Sequence, residues 1–360
     1  MGALISYQSV FKKLSGKTIL SNITVDITQN EVFGLIGPSG AGKTTFLRCM
    51  IGFYKINKGK ILFNGKDISR SEKEIRKIFG FTTQDNCFYE KLTVWENLVY
   101  FGRLYNVPLK QINITATNLL KLVELSGHEK DLAMNLSGGM QRRLDLACSL
   151  MHAPKILILD EPTAGLDPTL RKHMLELIKK INQSGTTIII SSHLLNEIEH
   201  LCTRIGIINK GELLKVDKPS ALKDQYCKDE EVILESFPGK YRQIVAQLKK
   251  MKVPLNYVKV DDHRLVIYTP QAELVLKFLL RVIDAMHEKI LDVTVNRPSL
   301  NEVFAALTEK QRIRGMDEDK VIDYMKAALK KGYNKDQIRG TLMKQGWPED
   351  AVNAALFKIG

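Results

Sequence analysis

Between the apolar run Val32 to Ile36 and a helical stretch that begins at Lys43, the sequence reads Gly37-Pro-Ser-Gly-Ala-Gly42-Lys43-Thr44. Glycines at 37, 40 and 42 let the backbone curl so that successive N–H groups converge on one point. A strand entering and a helix leaving such a loop place that point at a helix N-terminus, where an anion is stabilised. An ordinary glycine-rich turn would need neither neighbour. The chain is therefore constrained to an α/β body that carries a phosphate at the end of a strand. Lys43 supplies a point charge for β and γ phosphates, and Thr44 offers a hydroxyl to Mg²⁺. The candidate nucleotide contacts are Gly37, Pro38, Ser39, Gly40, Ala41, Gly42, Lys43, Thr44 and Thr45.

Residues 1–225 fit that constraint. Short apolar runs at Val32 to Ile36, Ile156 to Leu159, Thr187 to Ile190 and Ile205 to Ile208 alternate with helical segments. Near-continuous apolar strands of this kind belong to a parallel sheet covered on both faces. The stretch from about 90 to 152 has no comparable strand and reads as an inserted helical subdomain.

Two further clusters carry chemistry. Ile156-Leu-Ile-Leu-Asp160-Glu161 is an apolar strand that delivers two adjacent carboxylates to the sheet edge where α/β ligands bind. Asp160 is suited to hydrated Mg²⁺ and Glu161 to polarising an attacking water as general base. Leu136-Ser137-Gly138-Gly139-Met140-Gln141 opens a helix about 20 residues earlier. A Ser-Gly-Gly turn there reads equally as an anion site or as a helix cap.

Together these residues resemble the ATP-binding cassette (ABC) family of ATPases over roughly residues 3–220. The resemblance rests on the phosphate loop, Gln84 in Gly80-Phe-Thr-Thr-Gln84-Asp, the Leu136-Ser-Gly-Gly-Met140 signature, Asp160-Glu161, Ala164-Gly-Leu-Asp167, and His193 in Ser191-Ser-His193. It implies Mg-dependent ATP hydrolysis, with Glu161, His193 and Gln84 as catalytic residues and Thr44, Gln84 and Asp160 around the metal. It also implies that Ser137, Gly138, Gly139 and Asp167 act across an interface between two cassettes, as a homodimer or heterodimer. One register departs from the family. An aromatic residue usually stacks on adenine about 29 positions before the loop lysine, and here that position is Leu14, with Phe11 and Tyr7 nearby.

Beyond the charged stretch Lys223 to Glu231 the pattern changes. Strands at Val232 to Glu235, Leu255 to Val260, Leu265 to Tyr268 and Ile290 to Val295, with helices at Lys240 to Lys252 and Gln271 to Met286, predict β-α-β-β-α-β. That is a ferredoxin-like α+β domain over 229–310. Ser299 with Glu302 forms a capping-box pattern ahead of a short helix through Leu307. Residues 316–360 read as a small module of three helices, similar in hydrophobic spacing to ubiquitin-associated-like bundles. Asn334 and Pro348 sit at its helix starts, and its core set includes Met325, Ile338, Leu342 and Trp347. The string Asn296 to Thr308 resembles the tail of bacterial and archaeal ABC ATPases that serve separate permeases of type-2 exporters, including antibiotic and multidrug systems.

Composition narrows the surroundings. Lys plus Arg exceed Asp plus Glu by 13 in 360 residues, a balance that favours polyanionic neighbours such as an anionic membrane face or nucleic acid. No run reaches the roughly 18 to 20 apolar residues of a spanning helix, and the N-terminus lacks a secretory pattern. Five scattered cysteines without a CxxC pair fit reduced thiols. The expectation is a cytoplasmic ATPase, peripheral on the inner face of the cell membrane, that powers an integral membrane permease. No DNA partner is expected, and the partner of the C-terminal helices is unspecified. Two rivals are a non-transport cassette acting on nucleic acid or ribosomes, and a regulator that binds ATP without turnover. The first usually needs two cassettes or a coiled-coil insertion, and Glu161 and His193 argue against the second.

Overall fold

The computed structural model describes residues 2–67, 77–226, 229–261, 263–296, 299–308, 311, 324–325, 328–329 and 335–344. Met1–Asn301 form one compact unit and Glu302–Gly360 another.

The centre of the first unit is a six-stranded sheet in the order β10-β9-β3-β8-β7-β6, built from β3 (Val32–Ile36), β6 (Phe79–Thr82), β7 (Ile156–Asp160), β8 (Thr187–Ser192), β9 (Arg204–Asn209) and β10 (Glu212–Asp217). All neighbours are parallel except β9 and β10. Every residue of β3, β7 and β8 is buried, as continuous apolar strings such as Val-Phe-Gly-Leu-Ile require. At about 1.5 to 3 kcal/mol for each large aliphatic side chain, these strands anchor the fold.

A second sheet was not anticipated from the apolar runs. It is antiparallel, ordered β2-β1-β4-β5, and consists of β1 (Ile5–Leu14), β2 (Lys17–Ile27), β4 (Lys58–Phe63) and β5 (Lys66–Asp67). Its strands alternate apolar and polar residues, with register shifts near Val10 and Lys12 that break the period. Ile5, Tyr7, Leu20 and Ile23 from this sheet share one core with Phe33 and Leu35 of β3, Ile158, Ile189, and Phe46 and Leu47 of helix α1 (Lys43–Met50).

The stretch between β6 and β7 is helical, as expected, with helices at Val94–Leu104, Leu109–Leu122 and Gly138–Leu150. Thr93 and Glu96 form a full capping box at the start of the first.

After residue 229 come β11 (Glu230–Phe237), a helix at Tyr241–Lys250, β12 (Tyr257–Val260), β13 (Leu265–Thr269), a helix at Ala272–Ala285 and β14 (Lys289–Asn296). The strands form a separate antiparallel sheet in the order β12-β13-β11-β14, and Val232, Leu234, Leu265 and Ile267 pack on Ile244, Leu248, Val275 and Leu279 in a core of their own.

Residues 300–308 are helical and bury Leu300, Val303 and Leu307. In the second unit a helix spans Lys335–Lys344, and Met325, Ile338 and Leu342 are buried. The expected caps at Asn334 and Pro348, and Trp347, lie outside the described residues, as does Cys227. The remaining cysteines, Cys49, Cys87, Cys148 and Cys202, are free thiols. Among the described residues no helix is long and apolar enough to cross a membrane.

Candidate nucleotide site

The C-terminal ends of four neighbouring strands carry the expected site residues. The glycine loop follows β3, Asp160 ends β7 with Glu161 directly after it, His193 follows β8, and Gln84 lies two residues after β6. This is the edge at which open α/β sheets bind ligands.

Gly37 is there because of close approach: a Cβ on it would lie 2.1 Å from the Ile208 carbonyl oxygen of β9. Gly42 has φ 109° and caps α1 without a side-chain bond, and the first turn of α1 has no acidic residue. The helix itself supplies no anion for its positive end, so the loop fits a phosphate. Lys43 is buried and folds back over the loop, donating to the carbonyls of Gly37 at 2.9 Å and Pro38 at 3.2 Å.

Lys43 Nζ also lies 3.2 Å from Glu161 Oε1, and His193 Nδ1 is 2.9 Å from Glu161 Oε2. A carboxylate only accepts, so His193 donates through Nδ1. Glu161 has φ 52°, a left-handed conformation that few non-glycine residues adopt. Ser191 on the adjacent strand holds that turn. Its hydroxyl donates to Asp160 Oδ1 at 2.6 Å and accepts the Glu161 N–H at 3.0 Å. Asp160 and Ser191 are register partners between β7 and β8, so strand pairing aims both carboxylates.

The other expected residues sit apart from this ion network. Ser137 caps the helix Gly138–Leu150 by accepting the Met140 N–H at 3.3 Å. Asp167 Oδ1 caps the helix Pro168–Gln183 by accepting the N–H groups of Thr169 and Leu170 at 2.9 Å each. These two helix starts touch, because a Cβ on Gly139 would lie 3.0 Å from Leu170 Cδ1. Gln84 is exposed, and its carbonyl accepts from Arg142. Tyr7 is excluded from any adenine contact: it is buried, its ring stacks on Phe46 with centroids 4.3 Å apart, and its hydroxyl donates to the Phe46 carbonyl at 2.8 Å. Leu14 and Phe11 remain half-buried on β1.

No functional motif marks Ser191, Arg142 or Asp145. Ser191 had a signal, its place at the end of an apolar strand beside His193, whereas the other two are visible only through their backbone partners across the fold.

A parallel sheet whose edge holds a glycine loop, a buried lysine and an Asp-Glu pair defines a phosphate-loop nucleotide-binding protein. A family profile described as ABC transporter matches residues 20–164. The linearmycin resistance ATP-binding protein LnrL of Bacillus subtilis is 33% identical over 307 residues, covering 85% of this chain and 98% of that protein. The Nod factor export ATP-binding protein I of Rhizobium sp. (strain N33) is 31% identical over 307 residues, 85% and 97% of the two chains. Among solved structures, cbiO1 from Clostridium perfringens, described as part of the ABC transporter complex cbiONQ, superposes with a TM-score of 0.59 at 26% identity, covering 70% of this chain and 98% of that one. The chain belongs to the ABC transporter family and is an ATP-binding, ATP-hydrolysing member of it.

Proposed function

We propose that the chain is the energy-coupling subunit of an ABC exporter, bound to a separate integral membrane permease on the cytoplasmic face of the membrane. The observation that carries this reading is the extent of the similarity. Relatives named for drug resistance and Nod factor export match well past the cassette, over 85% of this chain. The chain itself has no described helix able to span a bilayer. An apolar patch is rooted in the segment after Gln84, where Tyr89 and Tyr100 pack edge to face at 4.7 Å. They are 48% and 40% exposed, and Leu104, one turn beyond Tyr100, is 60% exposed. Such a patch suits a permease surface. Nothing in the comparisons favours the nucleic-acid alternative.

In this reading residues 37–45 cradle the phosphates, with Lys43 on the β and γ groups. Thr44, Asp160 and Gln84 would hold Mg²⁺, which would draw charge from the β and γ oxygens when bound. Glu161 takes a proton from water as its oxygen bonds the γ phosphorus. The bond to the β–γ bridging oxygen then breaks and ADP leaves. His193 keeps Glu161 oriented through Nδ1 and, as the imidazolium, which donates from both nitrogens, meets the γ phosphate through Nε2. Ser137, Gly138, Gly139 and Asp167 close over the nucleotide of a partner cassette, in a homodimer or heterodimer. Residues 229–310 serve as an accessory domain, whose ferredoxin-like reading is supported by the sheet order β12-β13-β11-β14; most of the expected 316–360 docking module lies outside the described residues.

Copurification from native membranes in mild detergent tests the class. An integral membrane protein at equal stoichiometry is the expected result, and ribosomes or nucleic acid in its place would reverse the reading.

A further inference from the structure

The helix that Ser137 caps also grips the loop that carries Gln84, and it does so mostly through the loop's backbone. Arg142 donates to the Thr83 carbonyl at 3.2 Å and to the Gln84 carbonyl. One turn on, Asp145 Oδ1 accepts the Cys87 N–H at 2.9 Å. Gln141 Oε1 accepts from the Asn86 side chain at 3.4 Å. Arg142 and Asp145 are three positions apart and so share a helix face.

Asp145 is an expensive residue for this place. It is 3% exposed, and its Oδ2 is buried without a hydrogen-bond partner in the described structure. Burial pushes its carboxyl up to about 6, against the opposing pull of the Cys87 N–H and the Arg142 charge. A buried, half-satisfied carboxylate costs stability that an aliphatic residue would not. What it gives in return is the bond to Cys87, which joins the loop to the helix whatever side chains the loop carries.

We propose that Asp145, seconded by Arg142, is a positioning residue for ATP hydrolysis: it fastens the Gln84 loop to the helix of Ser137, so that the two move as one body when nucleotide binds. The proposal rests on the reading that Gln84 and Ser137 serve the nucleotide. In that reading Gln84 serves this chain's nucleotide and Ser137 that of the partner cassette, and the contacts made by Arg142 and Asp145 put both residues on one element. A shared clamp lets one displacement bring both.

The test uses the full chain and steady-state hydrolysis across a range of MgATP concentrations. Asp145→Ala should lower kcat about tenfold while KM for ATP stays within about twofold, because the phosphate loop that binds ground-state nucleotide is untouched. Asp145→Asn keeps an acceptor for the Cys87 N–H and should hold kcat within about twofold of the parent. Arg142→Gln, a change at a half-buried position, should lower kcat about threefold with the same indifference in KM. Amide exchange gives the second readout: MgATP should slow segments 83–88 and 136–145 together in the parent but not in Asp145→Ala. Parental kcat in Asp145→Ala, a rise in KM matching the fall in kcat, or an Asn variant as impaired as the Ala variant would each overturn the clamp. If Asp145→Ala does not fold, parental kcat in Arg142→Gln overturns it instead. Glu161→Gln distinguishes this failure from failure of the site itself, since it abolishes hydrolysis whether or not the clamp exists.

Discussion

Replacing Glu161 by Gln tests the centre of the site with almost no change in volume. The left-handed backbone at 161 and the Ser191 bond to the Glu161 N–H involve no side-chain atom of that residue, so the turn should survive. Two things change. The free chain loses the ion pair in which Glu161 Oε1 stands 3.2 Å from Lys43 Nζ, a contact that is mostly buried on both sides. A charge-assisted hydrogen bond is worth about 1 kcal/mol more than a neutral one, so Lys43 is released to phosphate and ATP should bind up to about fivefold more tightly. Hydrolysis loses its proton acceptor. General-base contributions are about 10² to 10⁴-fold, so the single-turnover rate should fall at least about a hundredfold, or about 2.7 kcal/mol in barrier. Removing a negative charge from the nucleotide sandwich should also let ATP-bound dimers persist on size exclusion. Asp160→Asn should differ, since Asn can still accept from Ser191 but weakens the Mg²⁺ site. Rapid-quench single turnover and fluorescent-nucleotide titration of both variants separate the two carboxylates. A Glu161→Gln chain that hydrolyses ATP at the parental rate refutes the assignment of the base.

Three other outcomes follow from particular contacts. Leu14→Tyr should strengthen ATP binding by about two- to tenfold, because stacking adds about 0.5 to 1.5 kcal/mol beyond area burial; unchanged affinity would give that role to another side chain, Phe11 first. A chain ending at Tyr226 retains the four-stranded β1 sheet and the six-stranded β3 sheet and should bind MgATP within about threefold of the parent; a folded truncation that loses nucleotide altogether would refute the boundary. Burial raises the folded Asp145 carboxyl from 3.8 to about 6, so the folded state holds that proton more tightly than the unfolded chain. The penalty for the charged form is then absent below about pH 4 and complete above about pH 6. Asp145→Asn should be more stable than the parent by up to about 3 kcal/mol near pH 8, with the gap closing towards pH 4 in urea titrations, and an equal gap at both ends would refute the shift.

The parts of the fold that were legible in the sequence are those whose residues have both faces buried. Val32–Ile36 and residues 156–159 are unbroken apolar strings because helices or another sheet cover each side, and a run of that kind is visible in the sequence alone. The β1 and β2 hairpin was harder to see. Its strands carry exposed polar residues such as Gln8, Ser9 and Asn22, and positive φ at Ser9 and Asn22 interrupts the alternation. Site residues divide in the same way. Lys43, Asp160 and Glu161 follow strands in short motifs whose chemistry requires those types, whereas Ser191, Arg142 and Asp145 act through partners 31, 58 or more residues distant in sequence. Tyr7 was misleading for a physical reason. An aromatic near the expected register looks like a stacking platform until burial and a ring contact with Phe46 show it to be core.

In the proposed function, Ser137, Asp167, Asp160 and His193 are held in place through atoms or lone pairs other than those they offer to a ligand. Ser137 Oγ accepts the Met140 N–H to cap its helix, which leaves its O–H free to donate to a phosphate oxygen. Asp167 uses Oδ1 alone for both capping bonds. Ser191 bonds one oxygen of Asp160, and His193 meets Glu161 through Nδ1 while Nε2 remains. Binding at these residues therefore breaks no capping or strand-edge bond, and their orientation is settled before nucleotide arrives, which lowers the ordering cost of the encounter. Lys43 is the exception. Its ammonium is committed to two loop carbonyls and to Glu161, so nucleotide must compete for it. In the proposed function that competition links the arrival of phosphate to the release of Glu161 from Lys43, and so to its work on the attacking water.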